Sequence, residues 1–347
     1  MTATAPSQLD LRPGDWVEVR SAAEILATLD DQAALEGLLF MPEMLACCGQ
    51  RFRVYKRADK TCDTIHLTGM MRMQNTVHLE MTRCDGAAHG GCQAACMFFW
   101  KERWLRRVGD DGPADSEAGN GQAATRPVTS AARDRAWLEA TTQREPAEDG
   151  EARYRCQATE LKSAACPLKW WGPTQYVRDI RTNDWPVNRV FKTVGILVFN
   201  KVLRRLGKWQ YPSVVGKLKR TPSEVLDLQV GEWVVVKSRQ EIVTTLDGNG
   251  KNRGMTFEPE MIPYCDKCYR VIQRVDRIIE EGTGRMKELN SVGIILENVI
   301  CASTYRTPCP RANYLYWREI WLRRALPHEI PQDAQANGLC VLQAPCV

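Results

Sequence analysis

Six of the fourteen cysteines recur in pairs at one fixed separation: Cys48 with Cys265, Cys84 with Cys301 and Cys92 with Cys309, each 217 residues apart. Thiolates grouped in this way are ligands for Zn2+, which takes four Cys or His donors in a tetrahedral structural site. In the later set Cys268 supplies a fourth donor, giving Cys265-x2-Cys268 followed by Cys301-x7-Cys309. The x2 spacing lets both thiolates of a tight turn reach one ion, as in half of a zinc ribbon. In the earlier set Arg51 stands where Cys268 would be, so the fourth ligand must be Cys96 or His89, whose counterparts are Asn313 and Arg306. The expected cofactor is therefore Zn2+ at two sites, one using Cys48, Cys84, Cys92 and Cys96, the other Cys265, Cys268, Cys301 and Cys309. Iron–sulfur ligation is the secondary option, and buried free cysteines that pack as small hydrophobes are the structural alternative. Cys47, Cys62, Cys156, Cys166, Cys340 and Cys346 have no counterparts and read as packing or tail cysteines.

A catalytic metal would need an open coordination position and a nearby acid or base. The earlier set offers His66, His78, Asp85 and His89, where the later set has Thr283, Ile295, Ala302 and Arg306. A zinc hydrolase or lyase with His89 or Asp85 as base is the alternative to a non-enzymatic zinc protein. No H-E-x-x-H, deaminase or nucleophile-elbow pattern accompanies the cysteines, which weighs against it. Glu43 and Glu260, in a shared Pro-Glu-Met, read as residues that fix a turn or cap a helix. Thiol redox chemistry of the thioredoxin type has no supporting βαβ pattern.

The elements that must position these residues are themselves repeated. Leu9 to Val54 and Leu226 to Val271 share 21 of 46 residues without a gap, and Trp100, Glu102, Trp104, Leu105, Arg106 and Arg107 recur as Trp317, Glu319, Trp321, Leu322, Arg323 and Arg324. Residues 9–107 and 226–324 therefore read as two copies of one module. In each copy a β-branched and aromatic run after a glycine, Trp16–Val19 and Trp233–Val236, predicts a first strand. Ser21 with Glu24, and Ser238 with Glu241, are capping boxes that predict a short helix next. Further strands are expected at 52–55 and 77–81 with their counterparts, while 99–105 is ambiguous between helix and strand. The opening Leu-x-x-Gly-Asp/Glu-Trp-Val-x-Val is similar to the first strand of SH3-like and KOW-type barrels, a resemblance of about a dozen residues that carries no function. The expected fold is mixed α+β and β-rich: two small SH3-like-barrel-type zinc modules with a partly helical basic segment between them.

Between the modules, residues 110–151 carry 10 acidic and 4 basic residues, and 108–152 is expected to be an acidic flexible linker. In 153–225, by contrast, the stretch 161–220 holds 13 Lys plus Arg against Asp179 and Asp184, interleaved with aromatics. The overall +5 hides this local field. Residues 188–206 place Phe191, Val194, Val198, Val202 and Leu206 at helical spacing. Arg189, Lys192, Lys201, Arg204, Arg205 and Lys208 beside them are the candidate contacts to an anionic partner. A membrane surface or acidic protein is expected ahead of nucleic acid. The alternative is a helix packed on the protein's own modules. The uncharged run 193–200 is too short to span a bilayer. Trp170-Trp171-Gly172-Pro173 reads as a turn anchored by core aromatics. With 44% hydrophobic and 26% charged residues the composition is globular, and the start lacks the basic and apolar regions of a secretion signal. A cytoplasmic protein, peripheral at most to a membrane, is expected, with 325–347 as a tail.

Overall fold

The computed structural model describes residues 9–65, 69–109, 133–182 and 184–331. His66, Cys340, Cys346 and the acidic run 110–132 lie outside them.

The first module opens at Gly14, whose φ of +93° only glycine adopts without strain, and enters β1 (Trp16–Val19). The predicted capping box then forms. The Glu24 amide donates to Ser21 Oγ at 3.3 Å and the Ser21 amide to Glu24 Oε2 at 3.0 Å, starting α1 (Ala22–Leu26). The strands that share its sheet are β2 (Arg51–Arg57), β3 (Thr76–Leu79), β4 (Trp100–Lys101) and β5 (Leu105–Arg107). They form an antiparallel sheet in the order β4-β3-β2-β1-β5.

The central region contributes α2 (Arg135–Thr141), α3 (Pro173–Arg181) and α4 (Val187–Arg205). α2 falls within the stretch expected to be a linker: Asp134 caps it by accepting the Trp137 amide at 2.9 Å, and Leu138 is buried in the first module's core. α3 is fastened to the first module by the buried Lys60–Asp179 pair and by the Arg57 amide, which donates to Asp184 at 2.8 Å. The turn at Trp170–Gly172 forms as expected, with Pro173 at the first helical position. Its tryptophans are not core anchors, because Trp171 is exposed, packs edge-to-face on Trp170 and has Lys169 and Lys201 over its ring.

The second module supplies β6 (Trp233–Val236), α5 (Arg239–Thr244), β7 (Cys268–Ile279), β8 (Met286–Ile300), β9 (Tyr314–Trp317) and β10 (Leu322–Arg324). Its sheet runs in the same order, β9-β8-β7-β6-β10. Val17 faces Phe52 and Arg107, and Val77 faces Trp100. Val234 faces Tyr269 and Arg324, and Ile294 faces Trp317. Every one of these partners is displaced by the same number of residues as the cysteines.

The ambiguous 99–105 segment resolves into strand, 3-10 turn and strand, the turn being Glu102–Trp104. That kink buries both tryptophans on one side of Phe40, with ring centroids 6.4 and 5.3 Å away; Phe257 sits likewise at 6.2 and 5.4 Å from Trp317 and Trp321. Glu102, buried between them, accepts the Leu9 amide at 3.0 Å, and Glu319 accepts those of Leu226 and Leu228 at 2.9 and 2.8 Å. The charged residue is buried because it ties the chain's entry segment to the sheet. Contrary to the expected barrels, neither sheet closes among the described residues. Their edge strands are two to four residues long and each pairs on one side only within its sheet.

Candidate metal site and an exposed basic helix

After β3 the chain turns through Met81, at a φ of +61°, into the loop that carries Cys84 to Cys96. Gly86 is required in that loop: its φ is +75°, and a β-carbon there would lie 2.0 Å from the Cys92 carbonyl oxygen. The tight fold brings His89 back over Cys84, with Nε2 3.5 Å from Cys84 Sγ. From the other side, the 3-10 turn Pro42–Cys47 presents Glu43. Glu43 Oε1 lies 3.0 Å from His89 Nδ1 and accepts the Ala88 amide at 3.0 Å. The imidazole contact is close but poorly aligned, and neither His89 Nδ1 nor Glu43 Oε2 has a well-directed partner. Glu43, Cys84 and His89 together form the single group of three or more potential metal ligands within 4.8 Å of one another among the described residues.

Burial opposes ionisation of Glu43, but the His89 contact and the Ala88 amide outweigh it and hold the carboxyl below its ordinary range. Burial, with the Glu43 charge beside it, pushes the Cys84 thiol well up. A cation placed between them would reverse that thiol's preference.

The expected cysteine quartets are not assembled. Cys48 Sγ turns to the Met44 carbonyl at 3.9 Å. Cys92 and Cys96 line a cavity of about 40 Å3 with Cys84 and His89, but Cys92 Sγ accepts the amide of Ile279 from the other module at 3.4 Å. In the second module Cys268 is already in β7, opposite Val235, so the x2 spacing spans the entry to a strand and not a turn that closes on an ion. Cys265 ends the preceding 3-10 turn, while Cys301 and Cys309 line a different cavity, of about 310 Å3. Asp85 is exposed and accepts the Ala87 amide of its own turn, so it does not face the cavity. His78 is a core residue: burial drives its pKa down to about 3, Nδ1 lies 2.8 Å from the Phe98 carbonyl and the ring packs on Phe99.

Position for position, the second module replaces His89 with Arg306. Glu260 is buried, accepts the amides of Thr304 and Tyr305 at 2.6 and 2.8 Å, and has Arg306 Nε at 3.6 Å. The two cavities are built reciprocally. The first receives Ile279, Glu281 and Arg311 from the second module, and the second receives Cys62 and Thr64 from the first. The first is the smaller and is lined in addition by Cys156, Gln157 and Ala158 of the central region. Gln157 is locked there, donating to the carbonyls of Leu39 at 2.8 Å and Phe99 at 3.0 Å and accepting the Phe99 amide at 2.9 Å. Glu43 could have been linked to the site from its pairing with Glu260; Cys62 and Cys156, which line the two cavities, had no repeat signal to mark them.

α4 turns its predicted apolar stripe outward. Phe191 is 70% exposed, Leu206 63%, and Val198, Phe199 and Val202 are about half exposed, while Val190, Thr193 and Asn200 face inward. Lys192, Arg204, Arg205 and Lys208 are exposed and make no ion pair among the described residues. Arg189 instead bonds the Ala302 carbonyl and stacks on Trp185, and Lys201 lies 4.2 Å over Trp170. No helix among the described residues is long and apolar enough to cross a membrane. In comparison with known proteins, no family model matches the chain. No curated protein matches it either.

Proposed function

We propose that the chain is a non-enzymatic interaction protein. In this reading two copies of one SH3-like module form a scaffold, the first copy holds one zinc-class ion, and α4 rests on an anionic membrane surface. The observation that carries it is the outward stripe from Phe191 to Leu206, flanked by cations that form no ion pair with a carboxylate among the described residues. Bulky apolar side chains on a basic helix partition into the headgroup boundary. Each cation near an anionic surface adds on the order of 1 kcal/mol, screened by salt. The exposed Trp171, Trp209 and Tyr211 are amphipathic rings suited to the same boundary.

The SH3-like part of the reading rests on the shared strand order and on the 3-10 turn that joins the last two strands of each sheet. The metal part rests on Cys84 and His89. A separation of 3.5 Å between Sγ and Nε2 suits two corners of a tetrahedron with Zn–S of about 2.3 Å and Zn–N of about 2.0 Å. Glu43, on the far ring nitrogen, takes the place of the carboxylate that orients a zinc-bound histidine. One ion is proposed, not two, because Arg306 brings a guanidinium to Glu260 where His89 would bring a ligand.

Sedimentation with phosphatidylcholine vesicles, with and without phosphatidylserine, tests the membrane reading. Binding only to the anionic vesicles, weakened by salt and lost in Phe191→Glu/Phe199→Glu, is expected. No binding to anionic vesicles at low salt, or binding that the double variant leaves intact, overturns it. A second reading, an enzyme in the first module with a degenerate second, is favoured by the order thiol, imidazole, carboxylate, which is that of a nucleophile, its base and an orienting acid. It is placed second because the adjoining cavity of about 40 Å3 has room for an ion or a water but not for a substrate. Turnover by the purified chain that disappears in His89→Gln would bring it first.

A further inference from the structure

The larger cavity holds a pair of thiols that the metal and membrane readings leave unused. Cys62, at the end of a short strand of the first module, and Cys309, in the loop of the second, approach from elements 247 residues apart in sequence. The Cys62 backbone amide donates to Cys309 Sγ at 3.3 Å, which sets the two cysteines side by side. Both sulfurs line the cavity of about 310 Å3, together with Arg306 and the buried Arg311. Arg311 is fixed there by Thr64 Oγ1 at 2.7 Å and Glu281 at 2.9 Å.

We propose that Cys62 and Cys309 are a peroxide-reactive thiol pair that closes into a disulfide across the interface between the two modules. The roles within the pair follow from their surroundings. The Cys309 side chain, against burial and with help from Arg311 and Arg306, holds the Cys62 thiol below its ordinary range, which makes Cys62 the attacking sulfur. The Cys62 side chain and burial push the Cys309 thiol up. In the first step the Cys62 thiolate attacks one oxygen of hydrogen peroxide. An S–O bond forms, the O–O bond breaks, and the departing hydroxide takes a proton to leave as water. In the second step Cys309 sulfur attacks Cys62 sulfur. The S–S bond forms, the S–O bond breaks, and the hydroxide leaves as water with the Cys309 proton. Two thiols are oxidised by two electrons and one peroxide is reduced to two waters.

The other half of the interface is a built-in control. There Cys92 Sγ accepts the Ile279 amide at 3.4 Å in the same manner, but isoleucine stands where Cys62 stands, so no second sulfur is present. This proposal does not rest on the metal or membrane readings.

The test uses the full chain, reduced, exposed to hydrogen peroxide at pH 7, alkylated, digested and mapped by mass spectrometry. A linked Cys62–Cys309 peptide is expected, appearing before the exposed Cys166 is oxidised. Cys62→Ser and Cys309→Ser should each abolish it, and Cys92→Ser should leave it. Should the serine variants not fold, as judged by circular dichroism, Cys62→Ala and Cys309→Ala serve in their place. Cys62 and Cys309 recovered as separately alkylated thiols after oxidant treatment, or Cys62 linked to another cysteine, overturns the proposal.

Discussion

Glu43 and Glu260 stand at matching places in the two modules, each reaching from a Pro-Glu-Met turn to the backbone of the loop that carries the module's later cysteines. Both carboxylates are largely removed from water, and a buried charge needs a cation or several donors. The second module supplies both from its own chain, two amides and a guanidinium. The first supplies one amide and an imidazole beside a thiol, a set that could hold an ion. Two sheets of one strand order thus treat a buried carboxylate differently: Arg306 brings a guanidinium to Glu260, and His89 brings an imidazole to Glu43.

The largest expected effect exchanges His89 and Arg306. His89→Arg should lower the metal retained by the purified chain from one equivalent to none, and Arg306→His, with Glu260 and Cys301 already in place, should add a second; elemental analysis reads both. Retention unchanged by His89→Arg would break the comparison. Next come the tryptophans that hold the two sheets. Trp104→Ala and Trp321→Ala should each cost about 3–5 kcal/mol in urea unfolding, because each removes a fully buried indole whose N–H bonds a threonine at 3.1 or 3.0 Å. A large difference between them would mean that the modules are unequal as scaffolds as well as at their sites. Glu260→Gln should destabilise by about 1.5–3 kcal/mol through its charge-assisted hydrogen bonds, and Glu43→Gln by less in metal-free protein, as it accepts one amide where Glu260 accepts two. The smallest effect is at the capping boxes. Ser21→Ala and Ser238→Ala should each cost about 1 kcal/mol, equally in both modules, measured by the same unfolding.

Much of the scaffold was readable in the chain because its signals are local. The β-branched runs after Gly14 and Gly231, the Ser-x-x-Glu boxes and the spaced tryptophans each act within a few residues, and the structure realises them in place. The 99–105 segment resisted reading because a strand, one 3-10 turn and a second strand superpose two periods in seven residues. The helix 188–206 was legible as amphipathic, but the direction its stripe faces was not: Val190, Thr193 and Asn200 take the inner face through packing and through hydrogen bonds to Tyr211. At the candidate site, spacing pointed to cysteine quartets. It brought Cys84 and His89 forward and left Glu43 as a turn residue.

The amino-acid order was therefore enough for the paired strands, the helix caps, the charge contrast of the central region and the correspondence of Cys84 with Cys301. Which sulfur meets which partner was decided by the tertiary structure alone. Cys309 finds Cys62, and Cys92 finds the Ile279 amide, because each module inserts a strand end into the other's loop. Contacts made across two hundred residues depend on how the sheets pack, and no local spacing encodes that.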